Sequence, residues 1–189
     1  MSVGDFPFAH EGDSYIDFAL GSKIDNPEER TFNYSNLNSY LVGVALAEIL
    51  KEDLGAFIEK NIFEPLGITQ YEYKRCPEGY FYGSSGVKLT VLDFSKIGRL
   101  VYNGGLYEGR RIVSEEYVKL ATSIQQMNRE GGYGFFFWKY KEGFSLNGKF
   151  GQKCYCRPEK GLMLTFLSHI EEGSGELMPS IGKYIWEEE

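Results

Sequence analysis

Lys153-Cys154-Tyr155-Cys156-Arg157-Pro158-Glu159-Lys160-Gly161-Leu162-Met163-Leu164-Thr165-Phe166-Leu167-Ser168 decides the fold class. Lys153–Arg157 and Leu162–Ser168 read as paired strands, because Pro158-Glu159-Lys160-Gly161 between them carries the residues of a tight turn. Just upstream, the nearly all-aromatic Tyr133–Tyr140 is expected to be a strand buried on both faces. Lys141-Glu142-Gly143 then turns it into Phe144–Lys149. Glu176–Trp186 returns to helical spacing and closes the chain.

Working back from there, the period is that of helices. Asp13–Leu20 reads as a short helix followed by a polar loop through Pro27. Leu37, Tyr40, Leu41, Val44 and Ile49 recur at helical spacing and are expected to face inward, with Ser35 or Asn36 as the cap. Asp53–Ile62 is a second helix, with Phe57 and Ile58 inward and Pro65 and Gly67 as its stop. Residues 69–89 are turn-rich with short strand pieces. Thr90-Val91-Leu92-Asp93 is a capping box for a helix ending at Asn103-Gly104-Gly105, and Ser114 caps another through about Ser123. Helices, then antiparallel strands, then a helix predict an α+β fold. The expected division is a mainly helical region over 1–82 and a region of helices plus antiparallel sheet over 83–189.

Composition narrows the class. The 189 residues include 14 Tyr, 14 Phe and 2 Trp, enough apolar surface to offset chain entropy. The net charge of −7, with no basic stripe, argues against a nucleic-acid partner. Tyr40–Leu50, the most apolar run, is broken by Glu48 and falls short of the roughly 20 residues of a membrane span. The start has no basic n-region or apolar h-region, so the chain as given is expected to be cytoplasmic. Cys76, Cys154 and Cys156 make no disulfide framework. Cys154 and Cys156, two apart in a strand, share a face as buried thiols; they are too few for a zinc site, and neither metal nor cofactor is expected. Of the two histidines, His10 lies in an unpatterned segment and His169 reads as a surface imidazole. Gly83-Ser84-Ser85-Gly86 has the wrong spacing for a nucleophile elbow.

Tyr34-Ser35-Asn36 and Lys149-Phe150-Gly151 are the chemically informative triplets. A tyrosine beside cations loses phenol pKa and serves as a general base. An asparagine amide offers a donor and an acceptor to a substrate amide. A lysine at a strand end, next to a small residue that admits substrate, holds a carboxylate or lowers the phenol pKa further. Read alone, each triplet is weak, and a tyrosine followed by a helix cap accounts for the first.

The chain resembles the C-terminal part of the serine β-lactamase-related family, which includes class C β-lactamases, penicillin-binding proteins and esterases. The resemblance rests on ordered blocks: Phe32–Leu41, Ile62–Ile68, Cys76–Tyr80, Leu89–Gly98, Asn103–Gly105 with Arg111–Val118, Tyr133–Phe135, Gly148–Gln152 and Pro158–Leu162. It implies a partial β-lactamase/transpeptidase-like fold that lacks the N-terminal strands and the nucleophile helix. It also implies acyl-enzyme hydrolysis of an amide, ester or β-lactam. The family's tyrosine falls on Tyr34 and its asparagine on Asn36. Its Lys-Thr-Gly or His-Gly-Gly motif falls on Lys149-Phe150-Gly151, with the N–H of Gln152 as half of an oxyanion hole.

Two departures shape the expectation. Phe150 puts an apolar ring where Lys-Thr-Gly enzymes offer a hydroxyl, which counts against β-lactam hydrolysis. No Ser-x-x-Lys precedes Tyr34, and the two matches elsewhere, Ser85–Lys88 and Ser180–Lys183, are what chance supplies and are disfavoured as nucleophiles. The expectation is therefore a fragment inactive by itself, taking a small-molecule or peptide acyl substrate. It would be completed by self-association or by an N-terminal segment that covers the exposed edge strand Leu162–Ser168. The alternative is a non-catalytic ligand-binding or regulatory remnant.

Overall fold

Helix caps fix the first elements of the computed structural model, which describes residues 14–23, 28, 31–129, 131–173 and 176–185. His10, the chain start, most of the loop before Pro27 and the expected helix end at Trp186 lie outside the described residues. The chain divides into two compact units, Met1–Thr90 with Gln126–Asn128 and Val91–Gln125 with Arg129–Glu189.

In the first unit, Ser14 caps α1 (Tyr15–Gly21) by accepting from the Asp17 N–H, and Ser35 caps α2 (Asn36–Leu50) by accepting from the Leu37 N–H. Asp53 accepts from the Ala56 N–H to start α3 (Leu54–Ile58). A π-type turn, Glu59–Phe63, follows α3. Gly67 takes a left-handed φ of 62° as the chain leaves this turn, and the Ile68 N–H caps back to the Phe63 carbonyl. The expected crossing contains β1 (Tyr71–Glu72) paired antiparallel with β2 (Lys88–Leu89).

α2 departs from its expected inward face. Leu37, Tyr40, Gly43 and Ala47 are buried, whereas Ile49 is 77% exposed. At 100° per residue Val42, Leu46 and Ile49 form a second apolar stripe on the opposite side, and all three are exposed. The helix is apolar on two sides, so spacing alone could not say which one the unit's own core would take. The inward side approaches the 81–84 segment closely, since a Cβ on Gly43 would stand 3.4 Å from Gly83 Cα.

Tyr40 is fully buried, edge-on to Tyr15 (6.3 Å) and tilted on Tyr82 (5.6 Å). Its hydroxyl donates to Glu78 Oε2 at 3.4 Å, and Glu78 Oε1 accepts from the Ile16 N–H at 2.9 Å. One carboxylate thus ties α1, α2 and the 76–80 turn together. Partial burial opposes its charge. Donation from the Ile16 N–H, the Cys76 thiol, its own N–H and the Ser14 hydroxyl outweighs that and holds the carboxyl at about 2. A folded pKa below the unfolded value of about 4.3 stabilises the native state above pH 4.3 and loses that contribution as pH falls toward 2. Urea unfolding at pH 6, 4 and 3 is therefore expected to show falling stability, with a flatter fall in Glu78→Gln.

In the second unit, α4 (Val91–Tyr102) leads into the hairpin of β3 (Leu106–Tyr107) and β4 (Arg110–Arg111), and Ser114 caps α5 (Glu115–Thr122). The main sheet is antiparallel in the order β5-β6-β7-β8: β5 is Trp138–Tyr140, β6 Gly143–Gly148, β7 Gln152–Arg157 and β8 Leu162–Phe166. Phe144, Cys154 and Cys156 pack with Phe94, Val101 and Tyr102 of α4 on one face. Tyr155 is fully buried on the other, edge-on to Tyr140. β8 is an edge, and each of its residues is half-buried. α6 spans Leu177–Ile185.

The aromatic run 133–140 is not one strand. Phe136 takes a φ of 64°, and the Gly134 N–H donates to the Phe137 carbonyl at 2.8 Å, so the chain doubles back. Tyr133 bridges to Trp138, and only Trp138–Tyr140 joins the sheet. Phe135 and Phe136 end up 39% and 51% exposed at the turn, not buried on two faces. Among the described residues no helix is long and apolar enough to cross a membrane.

Candidate active site

The candidate residues fall into the two units, and each group is built by its own local structure. In the first unit the extended Ser35 (φ −145°, ψ 125°) marks the entry to α2. It leaves Tyr34 just ahead of the helix and Asn36 in its first turn. The Ser39 hydroxyl donates to the Asn36 carbonyl at 3.1 Å, holding that turn. Tyr34 is 44% exposed and Asn36 half-buried. Burial pushes the Tyr34 phenol above its ordinary value, the opposite of what a resting base requires.

In the second unit Lys149-Phe150-Gly151 is a 3-10 turn joining β6 to β7, with Gly148 registered against Gln152. Phe150 sits in the left-handed region at φ 62°, ψ 24°, followed by Gly151 at φ 81°. A non-glycine residue there costs about 1 kcal/mol. Glycine would adopt this backbone without that cost. The Phe150 ring lies between neighbours, with Lys149 Nζ 5.0 Å from its centroid and the His169 ring 4.9 Å away.

Ser168 was not legible as part of this site. Its hydroxyl stands 2.8 Å from the Phe150 carbonyl and 2.9 Å from the Gly151 carbonyl, shared between them. The Gln152 side chain closes on it from the other side, accepting from the Ser168 N–H at 3.1 Å and donating to its carbonyl. The Ile170 N–H adds a bond to the Phe150 carbonyl at 3.1 Å. A partner 16 residues away leaves no signal in spacing. Ser168→Ala is expected to cost about 1 kcal/mol and to raise hydrogen exchange at 149–152 and 168–170. A loss without local exchange would mean that Ser168 does not hold the turn.

The two Ser-x-x-Lys matches have no such setting. Ser85 is exposed in the 83–86 turn, and Lys88 leads away into β2, where it pairs with Glu72 at 2.7 Å. Ser180 is exposed on α6. His169 is an exposed imidazole 3.5 Å from Glu171.

A family model described as Beta-lactamase matches residues 4–179. The chain belongs to the beta-lactamase family. A comparison with curated proteins finds no match. Among solved structures, a Bacillus anthracis protein provisionally described as a 6-aminohexanoate-dimer hydrolase aligns with a TM-score of 0.77 at 20% identity, covering 89% of this chain and 46% of that one. A beta-lactamase from Mycobacterium bovis aligns at 0.67 and 18% identity, covering 82% and 63%. The octameric penicillin-binding protein homologue from Pyrococcus abyssi aligns at 0.58 and 20% identity, covering 86% and 44%. The chain thus has a serine hydrolase-like fold of the β-lactamase/transpeptidase kind. It spans about half to two thirds of these relatives' length.

Proposed function

We propose that this beta-lactamase family chain supplies the base-and-clamp part of an acyl-enzyme hydrolase, acting on an amide, ester or β-lactam. The attacking Ser-x-x-Lys serine belongs to polypeptide outside these 189 residues. The observation that carries the reading is the turn at Lys149–Gln152, held at its carbonyls and its glutamine by Ser168. A turn fixed in this way keeps a backbone N–H in place ahead of the reaction, which an oxyanion hole requires. In this reading Tyr34 exchanges the nucleophile's proton, Asn36 holds the acyl amide and Lys149 holds the substrate's anionic group. Gly151 admits the substrate, the Gln152 N–H supplies half of the oxyanion hole, and Phe150 presents an apolar wall that favours esters and amides over carboxylate-bearing β-lactams. The raised Tyr34 phenol becomes a base only when a cation is brought to it, and the lysine of the missing segment is that cation.

The partner is a segment carrying the first half of the fold, or a second copy of this chain. The outward stripe of α2 and the open edge of β8 are surfaces that need cover. The octameric Pyrococcus homologue is an assembling protein of the same fold.

The purified chain, incubated with a fluorophosphonate or labelled penicillin, is expected to show no adduct by intact mass. Addition of an upstream segment bearing Ser-x-x-Lys is expected to restore stoichiometric labelling on that segment. Lys149→Met would then lower it by on the order of 100-fold. An adduct on Ser85 or Ser180 overturns the reading. Persistent inactivity with tight binding of an ester or muropeptide selects the non-catalytic remnant, which the raised Tyr34 phenol favours at rest.

A further inference from the structure

Phe150 keeps a backbone that glycine takes more cheaply, and it does so in the turn that leads to the Gln152 N–H. A non-glycine residue stays left-handed where its surroundings over-determine it. Three consecutive residues after β8 supply that restraint. The Ser168 hydroxyl stands 2.8 Å from the Phe150 carbonyl, and the Ile170 N–H donates to the same carbonyl at 3.1 Å. Between these two, the His169 ring lies 4.9 Å from the Phe150 ring, tilted by 34°. The first and third ties hold the Phe150 carbonyl. The imidazole holds its side chain.

We propose that His169 is a positioning residue for the candidate oxyanion turn: its ring holds Phe150 left-handed and so fixes the direction of the Gln152 N–H. An aromatic pair at this separation contributes a free energy of the same order as the left-handed strain, so the stack offsets what the backbone costs. Without it, rotation at Phe150 would relieve the strain and turn the peptide units of Gly151 and Gln152 with it. Glu171 Oε1 lies 3.5 Å from His169 Nε2 and orients the imidazole from its edge. Lys149 Nζ, 5.0 Å from the Phe150 ring centroid, also meets the phenyl ring. It belongs to the turn and moves with it, whereas His169 stands on the segment that follows β8. Stacking needs the ring and not its charge, so a phenyl group at 169 would serve equally. The catalytic consequence rests on the acyl-hydrolase reading above; the conformational one does not.

The test uses the full chain, labelled with nitrogen-15. In His169→Ala, exchange of the Ile170 N–H, corrected for the neighbouring side chain, should quicken by about 3–10-fold, the loss of one ring pair. The Gln152 amide resonance should shift at the same time. His169→Phe should restore both. In a Phe150→Gly background there is no ring to hold and no strain to offset, so His169→Ala should change exchange by less than about twofold. With the upstream Ser-x-x-Lys segment added and p-nitrophenyl acetate as substrate, His169→Ala should lower kcat by about the same 3–10-fold and leave KM unchanged. His169 is exposed, so these variants leave the core in place. Unaltered exchange with an unmoved Gln152 signal, a His169→Phe as disruptive as His169→Ala, or an undiminished effect beside Phe150→Gly would overturn the proposal. Conformational changes as expected in a completed protein that hydrolyses nothing would uphold the positioning and sink the acyl-hydrolase reading instead.

Discussion

Tyr40→Ala should destabilise the first unit by about 3–5 kcal/mol, the cost of emptying a fully buried aromatic site. Tyr40 has no exposed surface, contacts the rings of Tyr15 and Tyr82, and donates to Glu78. The cavity would open where α1, α2 and the 76–80 turn meet. Those elements cannot close over it while Gly43 and Gly83 already stand nearly backbone to backbone. Tyr40→Phe keeps the ring and loses only a long hydrogen bond, so it should cost about 1 kcal/mol. Urea denaturation of both variants checks the pair. Similar losses in the two would show that the hydroxyl, not the ring, holds this core. Because α2 carries Asn36 and begins directly after Tyr34, loss of its anchor should also release the first candidate triplet.

Gly143→Ala should cost about 2–3 kcal/mol and disrupt the β5–β6 hairpin. A Cβ at 143 would lie 2.4 Å from the Cys156 carbonyl oxygen and 2.6 Å from the Tyr155 hydroxyl. The first is backbone in a central strand, and the second belongs to a side chain with no exposed surface. Neither can withdraw without moving the ladder in which Phe144 opposes Cys156. Hydrogen exchange should show protection lost across Trp138–Gly148 while α5 keeps its own. Since β6 runs directly into Lys149, the same shift should displace the turn that Ser168 holds. An unperturbed ladder in Gly143→Ala would mean that the sheet has slack at this corner.

Much of this architecture was readable where local chemistry and tertiary packing agree. The caps at Ser35 and Ser114, the turn at Pro158–Gly161 and the strand pairs around it all appear, because each is decided by residues within a few positions of one another. The failures share the opposite property. Ile49 is outward because α2 has two apolar sides and the choice between them depends on residues 81–84. The 133–140 run bends because the Phe135 N–H bonds to the Ala121 carbonyl of α5 and Phe136 takes a left-handed backbone. Composition sees six aromatic residues in eight positions and misses that turn. The triplets at 34–36 and 149–151 stand in the sequence as motifs whose roles rest on the resemblance. The Ser168 staple was not, because it is made by two carbonyls and a glutamine amide that any sequence could offer.

The two-sided character of α2 also sets what substitution can do to it. Tyr40 and Ala47 answer to the unit's own interior, so polar replacements there are purged by unfolding. Val42, Leu46 and Ile49 are exposed on the other side, and charges placed there are expected to leave the unit's fold intact. A selection for soluble expression would therefore enrich lysine and glutamate at those three positions. On the assembly proposed above, the winners of that selection would be the variants that no longer associate.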